Sequence, residues 1–111
     1  MREQFEADAS RMSDAARTHV VVALEQLVES EHVLRLYEDR LVPVARDEVD
    51  AARAAFIASQ TPFVSVVDAE KNLRGVELDA QMAGADVDRR RAELDHALGR
   101  VPGLEEKDVT P

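Results

Sequence analysis

The chain of 111 residues is long enough for a single domain. With 45% hydrophobic and 33% charged residues it is too polar for a membrane span and too apolar for a disordered chain. It has no cysteine, which excludes disulfides, thiolate chemistry and cysteine-based zinc sites and leaves the redox compartment open. Its 23 acids outweigh 14 bases for a net charge of −9, and the longest basic run, Arg89 to Arg91, sits among Asp86, Asp88, Glu93 and Asp95. Such a run reads as a solvated helix face, so no basic stripe is offered to a nucleic acid.

The N-terminal MREQFEADAS has no apolar segment of the kind a signal peptide needs, and no apolar run approaches the roughly 18 residues of a membrane helix. Seventeen alanines, against 4% aromatics and four glycines, suit long helices packed closely together. Residues 3 to 58 contain no glycine and one proline, and read as one very long helix. Its apolar or small residues recur at alternating steps of four and three: Val20, Leu24, Leu27, Leu34, Leu41, Ala45, Ala52 and Ala55. Glu31, Glu38 and Glu48 interrupt that series. A second stripe lies one residue on, at Val21, Val28, Val42, Val49 and Phe56, with Arg35 as its gap. A period of seven held this long is a coiled-coil pattern and excludes strands. Two adjacent stripes predict contact with more than one neighbouring helix. Pro43 removes a backbone donor and crowds the preceding turn, which predicts a kink or short break near Val42.

A break follows at residues 59–61. Thr61 is suited to capping and Pro62 to the first helical position, so a second helix is expected from about 62 to 99. Its seam keeps heptad spacing through Val66, Leu73, Ala80, Val87, Leu94 and Val101, joined by Ala69, Val76, Ala83 and Ala97, with Arg90 as the one polar intrusion. Gly75 and Gly84 should each weaken the helix by about 1 kcal/mol relative to alanine. Gly99 and the Pro102-Gly103 pair end it, and residues 100–111 read as a frayed tail. The expected fold is therefore all-α, one domain forming a long antiparallel coiled-coil helical hairpin. At 1.5 Å per residue the first helix would be about 84 Å long and the second about 57 Å. Phe5, Met12 and Val20 would then lack a partner within the hairpin, which predicts self-association.

Chemistry is hard to find in this pattern. His19, His32 and His96 lack metal-ligand spacing, and the acidic pairs have no arrangement that would tune a particular carboxylate. Neither a glycine-rich phosphate loop nor a nucleophile elbow occurs. The reading is of a protein with no catalytic site, metal or cofactor. One local feature stands out: Val64, Val67 and Asp68 are expected to project away from Val66, which suggests another protein surface beside the tip.

Residues 36 to 99 resemble the C-terminal helical hairpin of TolC-type outer-membrane efflux ducts. Leu36-Tyr37, Leu41, Pro43 and Ala45 match the start of the family pattern, and Phe56 stands at a tyrosine position before the turn. Phe63, Val64, Val66, Val67, Asp68 and Ala69 match the tip, and a long Ala/Leu/Glu helix closes on Ala97-Leu98-Gly99. Residues 10 to 35 fit the same upstream helix by pattern. The resemblance implies part of a periplasmic α-barrel, built from two hairpins in each of three protomers, below an outer-membrane β-barrel. It implies that Ser59, Gln60, Thr61, Pro62, Phe63, Val64 and Val67 form a tip that docks a periplasmic adaptor, served by an inner-membrane pump. It implies too that Asp68 lines the entrance.

Ser59 departs from the family's glycine, Gln60 from a common basic residue, Ser65 from a common acid, and Phe56 from a tyrosine hydroxyl. The membrane strands and the second hairpin of a family member are missing, so the chain reads as an excised piece or a truncated relative. Its own segment is not expected to insert in a membrane. It would be a trimer in the full-length setting and a dimer or bundle alone. The alternative is a free-standing coiled coil that oligomerises or scaffolds without transport.

Overall fold

The computed structural model describes residues 2–101, with side chains from Arg11 onward apart from Met12. Of the tail expected at 100–111, residues 102–111 lie outside the described residues, as do the side chains of Phe5 and Met12, while Arg100 and Val101 continue in a turn with N–H bonds to the carbonyls of Ala97 and Leu98. The fold is all-α, a helical hairpin, and no strand occurs among the described residues. Helix α1 runs Arg2–Leu36, a π-turn follows at Tyr37–Leu41, α2 runs Val42–Ile57, and α3 runs Phe63–Leu98. The chain divides into two compact units: Met1–Glu29 with Asp88–Pro111, and Ser30–Val87.

The seam of α3 is the one its spacing predicts. Val66, Val87 and Ala97 are buried, and Ala69, Leu73, Val76, Ala80, Ala83, Arg90, Leu94 and Val101 are half-buried. Steps of three and four alternate without a fault from 66 to 101, so one face stays turned inward along the whole helix. In the first unit, Ala23 and Leu27 of α1 are buried and Val20 is half-buried. Arg90 is accommodated there because its guanidinium donates to Gln26 Oε1 and to Glu93 Oε2, both at 3.2 Å. A polar group at a seam position needs such partners, because leaving it unmatched would cost about 1–3 kcal/mol.

The first helical segment buries its two stripes unevenly. Val21 and Val28 are 53% and 55% exposed, and Leu24 and Leu41 are exposed as well, whereas Val42 and Val49 are buried. In the second unit the inward positions are Ser30, Leu34 and Tyr37, then Val42, Ala45, Val49 and Ala52. The step from Tyr37 to Val42 is five residues where a heptad allows four. Within this unit the seam changes phase.

The change of phase lies in the π-turn. Val42 N–H bonds to the carbonyl of Tyr37, five residues back, while Leu36, Leu41 and Val42 all keep right-handed helical dihedrals. Such a turn absorbs one extra residue without breaking the helix. Its position follows from Pro43, which lacks the N–H that would bond to Asp39 and whose ring would crowd that carbonyl in a regular helix. The widened turn directly precedes Pro43. The expected kink or break near Val42 is thus a π-turn in continuous helix.

Candidate functional site at the hairpin turn

Helix α2 ends in a Schellman cap. Ser59 has φ 59°, Ser59 N–H bonds to the Phe56 carbonyl at 2.9 Å, and Gln60 N–H bonds to the Ala55 carbonyl at 2.8 Å. This six-to-one and five-to-two pair satisfies the last carbonyls of the helix and reverses the chain. Glycine normally takes the left-handed position because its missing Cβ removes the clash with the carbonyl. Here serine takes it, so the turn keeps its geometry at the cost of local strain.

The start of α3 differs from expectation by a residue and by its capping. Helix begins at Phe63, and the first bond of the turn is Ser65 N–H to the Pro62 carbonyl at 3.1 Å. Thr61 lies too far upstream to cap, and its hydroxyl oxygen is buried without a hydrogen-bond partner.

The tip built by these two ends is apolar and exposed. Phe56 and Phe63 meet edge to face, with ring centroids 5.3 Å apart and an interplanar angle of 63°. Both remain exposed, Val64 is 57% exposed and Ile57 is 82% exposed. A cluster of four large apolar side chains turned to water at a hairpin end is a surface suited to another apolar surface. Ser59, Gln60 and Pro62 are exposed around it, and Thr61 is half-buried.

Val64 and Asp68 project outward from α3, and Val67 does not join them. Val67 is half-buried. It follows the buried Val66 by one residue, hence by about 100° around the helix, which sets it at the flank of the seam. Residues 64 and 68, two short of and two beyond Val66, fall on the far side. Ile57 is the tip residue that heptad reading missed. Its signal was its place just before the left-handed cap, where α2 stops having a partner to cover it.

Among the described residues no group of three or more His, Cys, Asp or Glu is placed to hold a metal ion, and no helix is long and apolar enough to cross a membrane. His19, His32 and His96 are each exposed. The chain matches no family model, no curated protein and no solved structure.

Proposed function

We propose that this chain is the periplasmic hairpin of a TolC-like outer-membrane efflux duct, forming part of the channel wall and the adaptor-docking tip of a tripartite export system. The reading is of a structural and docking element with no catalytic role. The observation that carries it is the tip: an exposed Phe56, Ile57, Phe63 and Val64 cluster on a turn closed by Ser59 at φ 59°. The resemblance of residues 36 to 99 to such a hairpin supports the reading, because in that family the tip is where the duct meets its adaptor. Exposed Val21, Leu24 and Val28 on α1 add to it, because a wall helix must offer apolar surface beyond its own hairpin.

The test is a chimera in which residues 36–99 replace the C-terminal hairpin of a TolC-type duct. Export and cross-linking to the adaptor should be retained, and Val64→Glu should lower both, because a charge would be desolvated against an apolar surface. The trimer itself should survive Val64→Glu. A chimera that folds and trimerises but never engages an adaptor would defeat the docking role and favour a free-standing scaffold.

A further inference from the structure

The shaft of the second unit is polar along one edge and apolar along the other. The ion pair of Arg53 with Glu70 marks the first edge, where no large apolar side chain of the unit is exposed. The bond from Asn72 to Glu48 at 3.4 Å marks the second. Val44 and Leu41 share the edge of Glu48, four and seven residues before it. The extra residue of the π-turn adds one to the count through it, which brings Arg40, Leu36 and Val33 to the same edge. On α3, Asp68, Gly75, Asp79 and Met82 share the edge of Asn72. Val33, Leu36, Leu41, Val44 and Met82 are 36–62% exposed, and a Cβ added at Gly75 would meet nothing within 4 Å.

Two contacts fix the levels of the two helices along this edge. Glu48 meets Asn72, and Leu34 Cδ1 lies 3.9 Å from where a Cβ on Gly84 would stand. By interpolation Val44 is level with Gly75, Arg40 with Asp79, and Leu36 with Met82. Arg40 and Asp79 make no ion pair or side-chain hydrogen bond among the described residues. Asp86, farther along the edge, is already engaged within its own chain.

We propose that two copies pair through this edge, side by side and parallel, about a two-fold axis running along the helices. Such an axis sets α3 of each copy against the first helical segment of the other at equal levels, so the edge must complement itself. It does. Arg40 of each copy meets Asp79 of the other, Val44 covers the open surface over Gly75, and Leu36 packs on Met82. Glu48 faces Asn72 and Asp68 faces the turn of Ala51, so no like charges are opposed. An antiparallel pairing centred on Val44 would match Arg40 with Glu48 but set Met82 against Asp68, and the apolar strip therefore favours the parallel one. The strip is about 21 Å long and two helices wide, so a pair buries roughly 1,000 Å², the low end for specific interfaces. Dimers are expected at roughly tens to hundreds of micromolar. This pairing is independent of the duct reading.

The test is sedimentation equilibrium of the intact chain up to high micromolar concentration in 0.15 M salt. The native chain should dimerise. Arg40→Glu and Asp79→Arg should each weaken the dimer by at least about tenfold, with helicity and urea midpoint near native. Mixing the two variants should restore pairing, because each charge then meets its opposite across the interface and not within one chain. Asp79→Arg pairing as the native chain does, Arg40→Glu pairing more tightly, a mixture that stays monomeric, or a monomeric native chain would overturn the proposal. Cysteine pairs in this cysteine-free chain give a second measurement that does not rely on charge. Val44→Cys mixed with Gly75→Cys should link under glutathione disulfide. Val44→Cys linking to itself instead would show antiparallel copies and defeat the parallel arrangement.

Discussion

At the scale of single residues, the turn stores two small penalties. Ser59 sits at φ 59°, where a Cβ crowds the following carbonyl for roughly 1–2 kcal/mol. Ser59→Gly should therefore raise the urea midpoint, by up to about 1 kcal/mol in stability, since glycine's greater freedom in the unfolded chain offsets part of the gain. An unchanged or lower midpoint would mean that the serine side chain contributes more than its strain costs. Thr61 presents a different defect, a buried hydroxyl oxygen with no partner. Thr61→Val keeps the shape and removes the unmet polar group, so it should stabilise by about 1 kcal/mol in the same assay. Thr61→Ser, which keeps the hydroxyl and loses a methyl, should not.

At the scale of elements, α3 and the first helical segment solve one problem in two ways. The first has an unbroken heptad; the second loses phase and regains it in the π-turn. Ala23, Ala45 and Ala97 are 1–3% exposed, and such small buried residues let helices approach closely but leave little slack for error. It follows that the extra residue is required by the seam as well as accommodated by Pro43. Pro43→Ala with Asp39 deleted should fold with a stability near native, because both the insertion and its cause are removed together. A single alanine inserted between Ala51 and Ala52 should cost several kcal/mol, since it turns Val42, Ala45 and Val49 about 100° against the residues that follow. Denaturant unfolding followed by circular dichroism distinguishes them. Equal tolerance of both changes would mean that the core of this unit is not register-specific.

At the scale of the whole molecule, the duct reading makes Asp68 the residue of consequence. It is exposed on the outer face of α3, and a three-fold assembly would bring three such carboxylates to a narrow entrance, where like charges favour cations. Ser65, one turn away, stands where the tips of TolC-type ducts often carry a second acid. In the chimeric duct, Asp68→Asn should largely abolish this hairpin's share of divalent-cation block in single-channel recording, and Ser65→Asp should strengthen that block. Block and selectivity indifferent to Asp68→Asn would reduce it to a solvated acid near a helix N-terminus, worth about 0.3–1 kcal/mol there.

The sequence by itself determined the helical fold class, the break before Pro62 and the whole seam of α3, because an unbroken alternation of threes and fours is a property of one helix alone. Ser59 stands where the resembled pattern has glycine, and the structure shows that serine takes the left-handed conformation there and the turn keeps its geometry. What only the tertiary structure decided was phase. Within the second unit Leu34 and Leu41 share one heptad register in the sequence, yet Leu34 is half-buried and Leu41 exposed, with Val42 buried in its place, because the π-turn shifts the phase between them. Pro43 marks where the ladder can widen, but the resulting rotation depends on which side chains the opposite helix must cover. The tip followed the same logic. Residues 56 to 64 are apolar in any reading, but which of them face water depends on where each helix loses its partner.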